Sequence, residues 1–254
     1  MPRSEGVRIP GGHDLDGMGI EAQPVLPLVH QIWFSEAPKP AQLPANAAAL
    51  RAAVGPERYR LWTLDAAREF LATHAAPPVL AAFEKLRPFA YKADLARFVI
   101  VERLGGFYLD LSVSDVRLPD VEGWTFVGFR DLNSNATSWK VATNYFFAES
   151  GSAILRDCVA QVLKHCDEEY YGKDPHYPTG PSVLGRSVAS IGPELPILIG
   201  QYYWLRRRRN KYVLPDKRVV GRGKVGGRFL GGVSGVPGGN NYNELWRERR
   251  VYGA

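Results

Sequence analysis

Cysteine is scarce: the 254-residue chain has only Cys158 and Cys166. Both fall in a segment that reads as helix, where eight residues at ~1.5 Å rise place them ~12 Å apart. A disulfide needs Cα atoms within about 7 Å. The two thiols are therefore expected to be free, buried or half-buried, in a reducing compartment. Long apolar runs are missing as well. Nothing approaches the ~18 consecutive apolar residues of a membrane-spanning helix. Residues 1–6 also lack the charged, then apolar, then small order of a secretory signal, so a cytoplasmic location is expected. His13, His74, His165 and His176 have no Cys, Asp or His at ligand spacing, which argues against a zinc site. No internal repeat is present.

What is there is an ordinary globular composition, 45% hydrophobic and 23% charged, with a net charge of +6. The excess positive charge comes late, in Arg206–Arg209, then Lys211, Lys217, Arg218, Arg222, Lys224 and Arg228, then Arg247, Arg249 and Arg250. Such a field suits phosphates, acidic sugars or an anionic membrane face, or is simply a solvated basic surface. Nucleic acid is disfavoured because no aromatic platform is interleaved with the basic residues.

Residues 1–24, rich in Gly, Pro and Asp, read as a flexible lead-in, and residues 25–254 as one domain. The first two-thirds of that domain alternates strands with helices of 10–15 residues. Strands are expected over 26–34, 59–64, 107–113, 124–129 and 144–148, and helices over 45–54, 66–74, 77–86, 90–104 and 152–165. Asp65 is the expected N-cap of the second helical stretch, at 66–74. A short helix is expected at 183–191, and strand-like pieces at 197–203 and 228–233. This order predicts an α/β fold with a mostly parallel central sheet flanked by helices. Ligands of such sheets lie beyond the carboxyl ends of the strands, near Trp33 and Asp110. The basic, Gly-rich region at about 205–254 reads as a loop over the site.

The helix at 90–104 is the most informative element. At ~100° per residue its apolar side chains cover nearly the whole circumference, the pattern of a buried helix. Lys92 and Arg103 share one narrow strip that could reach water. Asp94 and Arg97 lie on another side, about 60° apart. A charged pair on a buried helix needs partners. Either the two satisfy each other, or both project toward a polar ligand whose hydroxyls satisfy carboxylate and guanidinium together. Gly105-Gly106 then allows a left-handed exit into a strand. Along it Phe107, Leu109, Leu111 and Val113 alternate with Tyr108, Asp110, Ser112 and Ser114, so one face of the strand lines something wet.

Three strings, Val29-His-Gln-Ile-Trp33, Lys92-Ala-Asp-Leu-Ala-Arg97 and Gly105-Gly-Phe-Tyr-Leu-Asp110, are common singly. In this order and spacing the chain resembles glycosyltransferase family 32, the group with a sugar-binding DXD motif. The resemblance covers roughly residues 26–118, and more thinly 144–147, Thr179-Gly-Pro181 and 240–252. It implies a GT-A nucleotide-binding fold and a retaining hexosyltransferase that moves a sugar from a nucleotide-sugar donor, UDP favoured over GDP. The acceptor would be a saccharide or lipid-linked molecule in polysaccharide or glycolipid synthesis, near the inner membrane face if the basic region touches it. By the same resemblance Trp33 stacks on the base, Asp94 and Arg97 hold the transferred sugar, and Tyr108 packs at the nucleotide. Asp110 would meet the ribose and a divalent cation, Mn2+ or Mg2+, and Asn241, Asn243 and Trp246 would come from a C-terminal loop folding over the diphosphate, with Asn243 reaching the metal. Asp94, Arg97 and Asp110 are thus the implied catalytic set, and no general base is nominated.

One position departs from the pattern. Where the motif has a second Asp as metal ligand, this chain has Ser112, a neutral and weaker oxygen ligand. The capsular polysaccharide synthesis transferases, a similar bacterial group, carry Asp-X-Thr there. Asp115 is not expected to substitute, because on a straight strand it would stand ~16 Å from Asp110 and on the opposite face. The competing reading is a non-catalytic nucleotide-sugar or carbohydrate-binding protein. A hydrolase built on Asp94 and Asp110 ranks last, having no need of Trp33 or the double glycine. His30, on a buried strand, is expected to be a satisfied core histidine, and Thr179-Gly180-Pro181 either a plain turn into a helix or part of the acceptor region.

Overall fold

The computed structural model describes residues 26–34, 44–132, 139–205, 209–225 and 240–253. The expected lead-in, the strand at 228–233, Arg206 to Arg208 and most of the Gly-rich loop lie outside these residues.

Three parallel strands form one side of the sheet. The first, β1 (Val29–Trp33), lies between β2 (Tyr59–Thr63) and β3 (Gly106–Leu109). Next to β3 comes β5 (Tyr145–Ala148), antiparallel to it and to β4 (Phe126–Asp131). Beyond β4 the parallel β6 (Ile197–Tyr203) opens an antiparallel meander with β7 (Arg209–Val213) and β8 (Val219–Val225). The order is β2-β1-β3-β5-β4-β6-β7-β8, one mixed sheet with helices packed on it. The α/β class is as the alternating pattern indicates. The antiparallel pairings come from β5, inserted between the two parallel sets, and from the β6–β8 meander. The basic residues from Arg209 to Lys224, which read as part of a loop over the site, belong to that meander.

Helices α1 (Ala45–Val54), α2 (Leu64–His74), α3 (Pro77–Lys85), α4 (Phe89–Leu104), α5 (Ala153–Asp167), α6 (Pro181–Ile191) and α7 (Tyr242–Arg247) follow the apolar periodicities closely. The N-cap of α2 is a correction. Thr63, the last residue of β2, accepts from the Ala66 amide, while Asp65 sits in the first turn and pairs with Arg68 at 2.9 Å. A hydroxyl on an extended residue can turn back to the helix amides, and Asp65 contributes through the helix dipole instead.

Two cores sandwich the sheet. On one side Phe98, Leu155 and Val183 pack with Tyr108 and Phe146; on the other, Leu50 and Val54 of α1 pack with Phe107, Leu109 and Tyr145. Cys158 and Cys166 are buried free thiols on α5. Among the described residues no helix is long and apolar enough to cross a membrane.

The double glycine is a steric requirement. Gly105 caps α4 with φ 66° and Gly106 follows at φ 107°. A Cβ on Gly106 would lie 2.4 Å from the Leu28 carbonyl oxygen, because β3 enters the sheet against β1 there. Gly106→Ala is expected to cost about 2–3 kcal/mol, read as a shifted urea midpoint. A change below about 0.5 kcal/mol would contradict this account.

His30 is, as expected, a satisfied core histidine. It is 0% exposed, with Nε2 donating to the Gly105 carbonyl at 3.0 Å and Nδ1 accepting from Trp62 Nε1 at 3.2 Å. Burial lowers its pKa from 6.5 to about 4. Because the fold holds the neutral ring, the unfolded chain takes up the proton first. This stability is complete above pH 6.5 and is lost as pH falls toward 4, about 3 kcal/mol in all. Urea unfolding at pH 7 and 4.5 should therefore show the parent losing about 2.5 kcal/mol more than His30→Gln. Equal losses would remove His30 from the acid response.

Candidate functional site

The site grows from α4. Every residue from Tyr91 to Glu102 is buried, as the all-round apolar wheel implies. Lys92, expected to reach water beside Arg103, does not: it is 7% exposed, and its ammonium donates to the Phe83 and Glu84 carbonyls and lies 3.5 Å from the Glu84 carboxylate. The C-terminus of α3 supplies those acceptors, so the residue pins α3 to α4. Glu102 is also buried, beside Arg103 at 3.3 Å and Arg156 at 3.8 Å.

Arg97 is the strut of the site. Its Nε donates to Ala93 O at 3.0 Å and its Nη1 to Thr143 O at 2.7 Å, and Nη1 and Nη2 reach Asp110 Oδ1 and Asp94 Oδ1, each at 3.3 Å. The guanidinium lies 4.5 Å over the Tyr108 ring. Burial works against its charge, but Tyr108, Asp94 and Asp110 together raise its pKa further. Asp94 accepts from Thr179 Oγ1 at 2.8 Å. Burial, opposed by Arg97 and Thr179, still holds its carboxyl above the ordinary range. The two charges satisfy each other, and the network they form borders open space.

Asp110 hangs on a turn held from four sides. Its amide donates to Asn144 O at 2.9 Å, and its carbonyl accepts from Val113 N at 2.9 Å and from Gln31 Nε2 at 3.3 Å. Asn46 of α1 donates to the Leu111 and Val113 carbonyls. Tyr108 OH donates to Asp110 Oδ1 at 2.8 Å. The strand expected to run to Val113 therefore ends at Leu109, and the turn sets Asp110 and Ser112 at the sheet's edge. Asp115, at φ 49°, is tied to Arg209 at 2.9 Å and Arg222 at 3.6 Å.

Two cavities meet at this network, sharing Ala90, Arg97 and Asp110. The first, about 240 Å3, is bordered by Ile32, Phe34, Phe89, Tyr108 and Ser112. The second, about 290 Å3, is bordered by Asp94, Asp131, Asn144, His176, Tyr202 and Tyr242. Tyr108 from the strand and Asp110, Leu111 and Ser112 from the turn after it all line the first cavity, so the turn and not strand alternation brings the aspartate and serine there.

Trp33 does not line either cavity. Register explains it: Val29 is opposite Phe107 and His30 opposite Tyr108 in the parallel β1–β3 pair. Residues in register share a face, and side chains alternate. His30, Ile32 and Phe34 therefore fall on the Tyr108 face, and Trp33 on the Phe107 face. Its indole Nε1 is buried without a partner. The aromatic rings at the first cavity are Phe34, Phe89 and Tyr108.

The C-terminal residues arrive at the site differently from expectation. Asn241 is the N-cap of α7, accepting from Asn243 N at 3.0 Å. Trp246 packs on the core and donates its indole N–H to Tyr171 O at 2.8 Å, as a brace. None of the three borders either of these two cavities. Tyr242, between them, does, with its ring 6.0 Å from Tyr91 and 6.5 Å from His176. Asn240 caps α4, accepting from Phe89 N at 2.6 Å. The residues missed from the sequence are Tyr242, His176, Thr143, Asn144 and Asn46. Asn144 and Tyr242 stood in strings noted there, without a role of their own.

A divalent cation finds a small donor set. Asp110 and Ser112 both border the first cavity. Among the described residues no group of three or more His, Cys, Asp or Glu side chains could hold a metal ion. One carboxylate and one hydroxyl suit an ion carried largely by phosphates and water, as Mg2+ commonly is.

The chain is 38% identical over 52 residues to an uncharacterized glycosyltransferase, L373, of Acanthamoeba polyphaga mimivirus, covering 20% of this chain and 21% of that one. It thus spans about a fifth of the length of the curated relative it matches. Among solved structures it is similar to the PaToxG glycosyltransferase, at 13% identity and a TM-score of 0.48 over 67% of this chain and 72% of that one. It is also similar to a glycosyltransferase involved in glycosylating the major capsid of PBCV-1, at 13% identity and a TM-score of 0.31 over 69% and 82%. Residues 41–119 match the family model described as a glycosyltransferase sugar-binding region containing the DXD motif, and Asp94, Arg97, Tyr108, Asp110 and Ser112 all fall within that match.

Proposed function

We propose that the protein is a retaining glycosyltransferase of GT-A type that transfers a hexosyl group from a nucleotide sugar, UDP-linked rather than GDP-linked, to a saccharide or lipid-linked acceptor. The carrying observation is the meeting of two cavities at one fixed carboxylate–guanidinium network. Nucleotide and diphosphate take the cavity bordered by Phe34, Phe89, Tyr108 and Ser112. The transferred sugar takes the cavity bordered by Asp94, Asn144 and His176, with its anomeric carbon near Asp110 at the junction.

The chain's own groups then divide the work. Arg97 has its donors on protein acceptors, so it acts by fixing Asp94 and Asp110, and its charge favours a diphosphate nearby. Asp94 can still accept from sugar hydroxyls. Asp110 and Ser112 would hold a divalent cation with the diphosphate, and that cation would neutralise charge developing on the leaving group. Tyr242 narrows the second cavity from the C-terminal side and limits water there. Polysaccharide or glycolipid synthesis, and contact between the basic residues and an anionic membrane at the cytoplasmic face, complete the reading.

The test is incubation with UDP- and GDP-sugars and saccharide acceptors, with and without Mn2+, followed by detection of free nucleotide and of product anomers by NMR. Transfer with retained configuration supports the proposal. Tight donor binding with no release of nucleotide across all donors would favour the second reading, a binding protein, for which Ser112 in the motif is the specific observation.

A further inference from the structure

His176 borders the second cavity but is set up from behind. Lys140, 2% exposed, donates through Nζ to Asp174 Oδ2 at 2.7 Å, and the same ammonium lies 3.4 Å from His176 Nδ1 in hydrogen-bonding geometry. Asp174 Oδ1, also 3.4 Å from that nitrogen, already accepts the His176 backbone N–H at 2.9 Å. An ammonium only donates, so Nδ1 must accept, and the ring proton belongs on Nε2. A cation fixed against Nδ1 also opposes a second proton, as does burial. The ring is placed by the 174–177 turn, whose Pro175 carbonyl accepts from Tyr91 OH at 2.6 Å. Asp94 and His176 border the same cavity, and the turn at Gly180 brings the His176 backbone near the carboxylate: a Cβ there would stand 3.1 Å from Asp94 Oδ2 and 3.4 Å from the His176 carbonyl oxygen.

We propose that His176 is a sugar-binding, specificity-determining residue, a fixed neutral donor whose Nε2–H takes an oxygen of the transferred sugar beside Asp94. The pairing has chemical content. Asp94 offers acceptors only, and four of the five Arg97 N–H donors already have protein acceptors, so His176 supplies the neutral donor that lets the corner read a hydroxyl both ways. A hydroxyl that donates to Asp94 and accepts from His176, or an acetamido carbonyl beside such a hydroxyl, satisfies both. An ammonium in that place would not, since it has no lone pair for Nε2–H. The sugar received is thus a neutral hydroxylated or N-acetylated hexose rather than one with a free amine. This inference rests on the glycosyltransferase reading.

The experiment is calorimetric titration of the full chain with UDP, GDP, UDP-glucose, UDP-N-acetylglucosamine, UDP-glucosamine and GDP-mannose, for the parent, His176→Leu and His176→Gln. The expected result is roughly tenfold weaker binding of the preferred nucleotide sugar by His176→Leu, with free nucleoside diphosphate unchanged. His176→Gln, which keeps an N–H near the Nε2 position, should stay within about threefold of the parent. Equal affinity for the nucleotide sugar in parent and His176→Leu overturns the proposal. So does an equal loss for the free diphosphate, a glutamine variant no better than leucine, or preference for the free amine sugar. A parent that binds none of the six ligands removes the glycosyltransferase reading itself, and this inference with it.

Discussion

Replacing Arg97 by methionine is expected to lower the unfolding free energy by about 3–5 kcal/mol and the melting temperature by on the order of 10 °C. Arg97 is 5% exposed and anchors five groups at once: two carbonyls, two carboxylates and the Tyr108 ring. Removing it leaves Asp94, 8% exposed, with only the Thr179 hydroxyl beside it. Breaking a buried pair costs far more than the pair contributes, because the remaining charge stays desolvated. Adding Asp94→Asn to Arg97→Met should therefore recover most of the loss, since the amide carries no charge to desolvate. Urea and thermal unfolding of the three variants decide it. A single variant within 1 kcal/mol of the parent, or a double variant worse than the single, would show that the network is not what holds α4 against β3.

Asp110→Asn is expected to act on rate and not on stability. Its side chain is 35% exposed and the asparagine oxygen can still accept from Tyr108, so the melting temperature should move by no more than about 2 °C. Donor turnover should fall at least about 100-fold, because the carboxylate at the junction of the cavities opposes no charge once it is an amide. The loss should sit in kcat, with the donor KM changed far less. A variant retaining a third of the parental turnover would remove Asp110 from the chemistry and leave the second cavity without its reactive end.

The helical half of this arrangement was readable because α4 breaks an otherwise strict rule. Twelve consecutive buried residues include Asp94 and Arg97, and a wheel exposes such a conflict without knowing any partner. The strand half was readable only in part: alternation marked Tyr108, Asp110 and Ser112 as a wet set, but β3 ends at Leu109 and a turn, which also brings Leu111 to the cavity, places the last two. What failed was parity between strands. Periodicity within β1 cannot say which of Trp33 and Phe34 faces β3's wet side; only the pairing of His30 with Tyr108 does. Partner elements likewise decided Lys92, which a wheel of α4 alone sends toward water while α3 supplies its carbonyl acceptors. Trp246 was expected over the diphosphate from the resemblance alone, yet the Tyr171 carbonyl takes its N–H. His176 had no ligand spacing to mark it. Its part depends on Lys140, thirty-six residues away and brought close only by folding.

The cap on α4 has a consequence for how the protein is made. The Phe89 amide at the start of that helix is satisfied by Asn240, and the neighbouring Arg87 amide by the Val251 carbonyl. Residue 240 leaves the ribosome 151 residues after Phe89, about 8–30 s later at ordinary synthesis rates. Through that interval the helix carrying Asp94 and Arg97 stands with its first turn open and its neighbouring cavity without Tyr242. The nascent chain must therefore build its sheet first and finish the site last, and a ribosome stalled before residue 240 would hold a nearly complete core around an unfinished site.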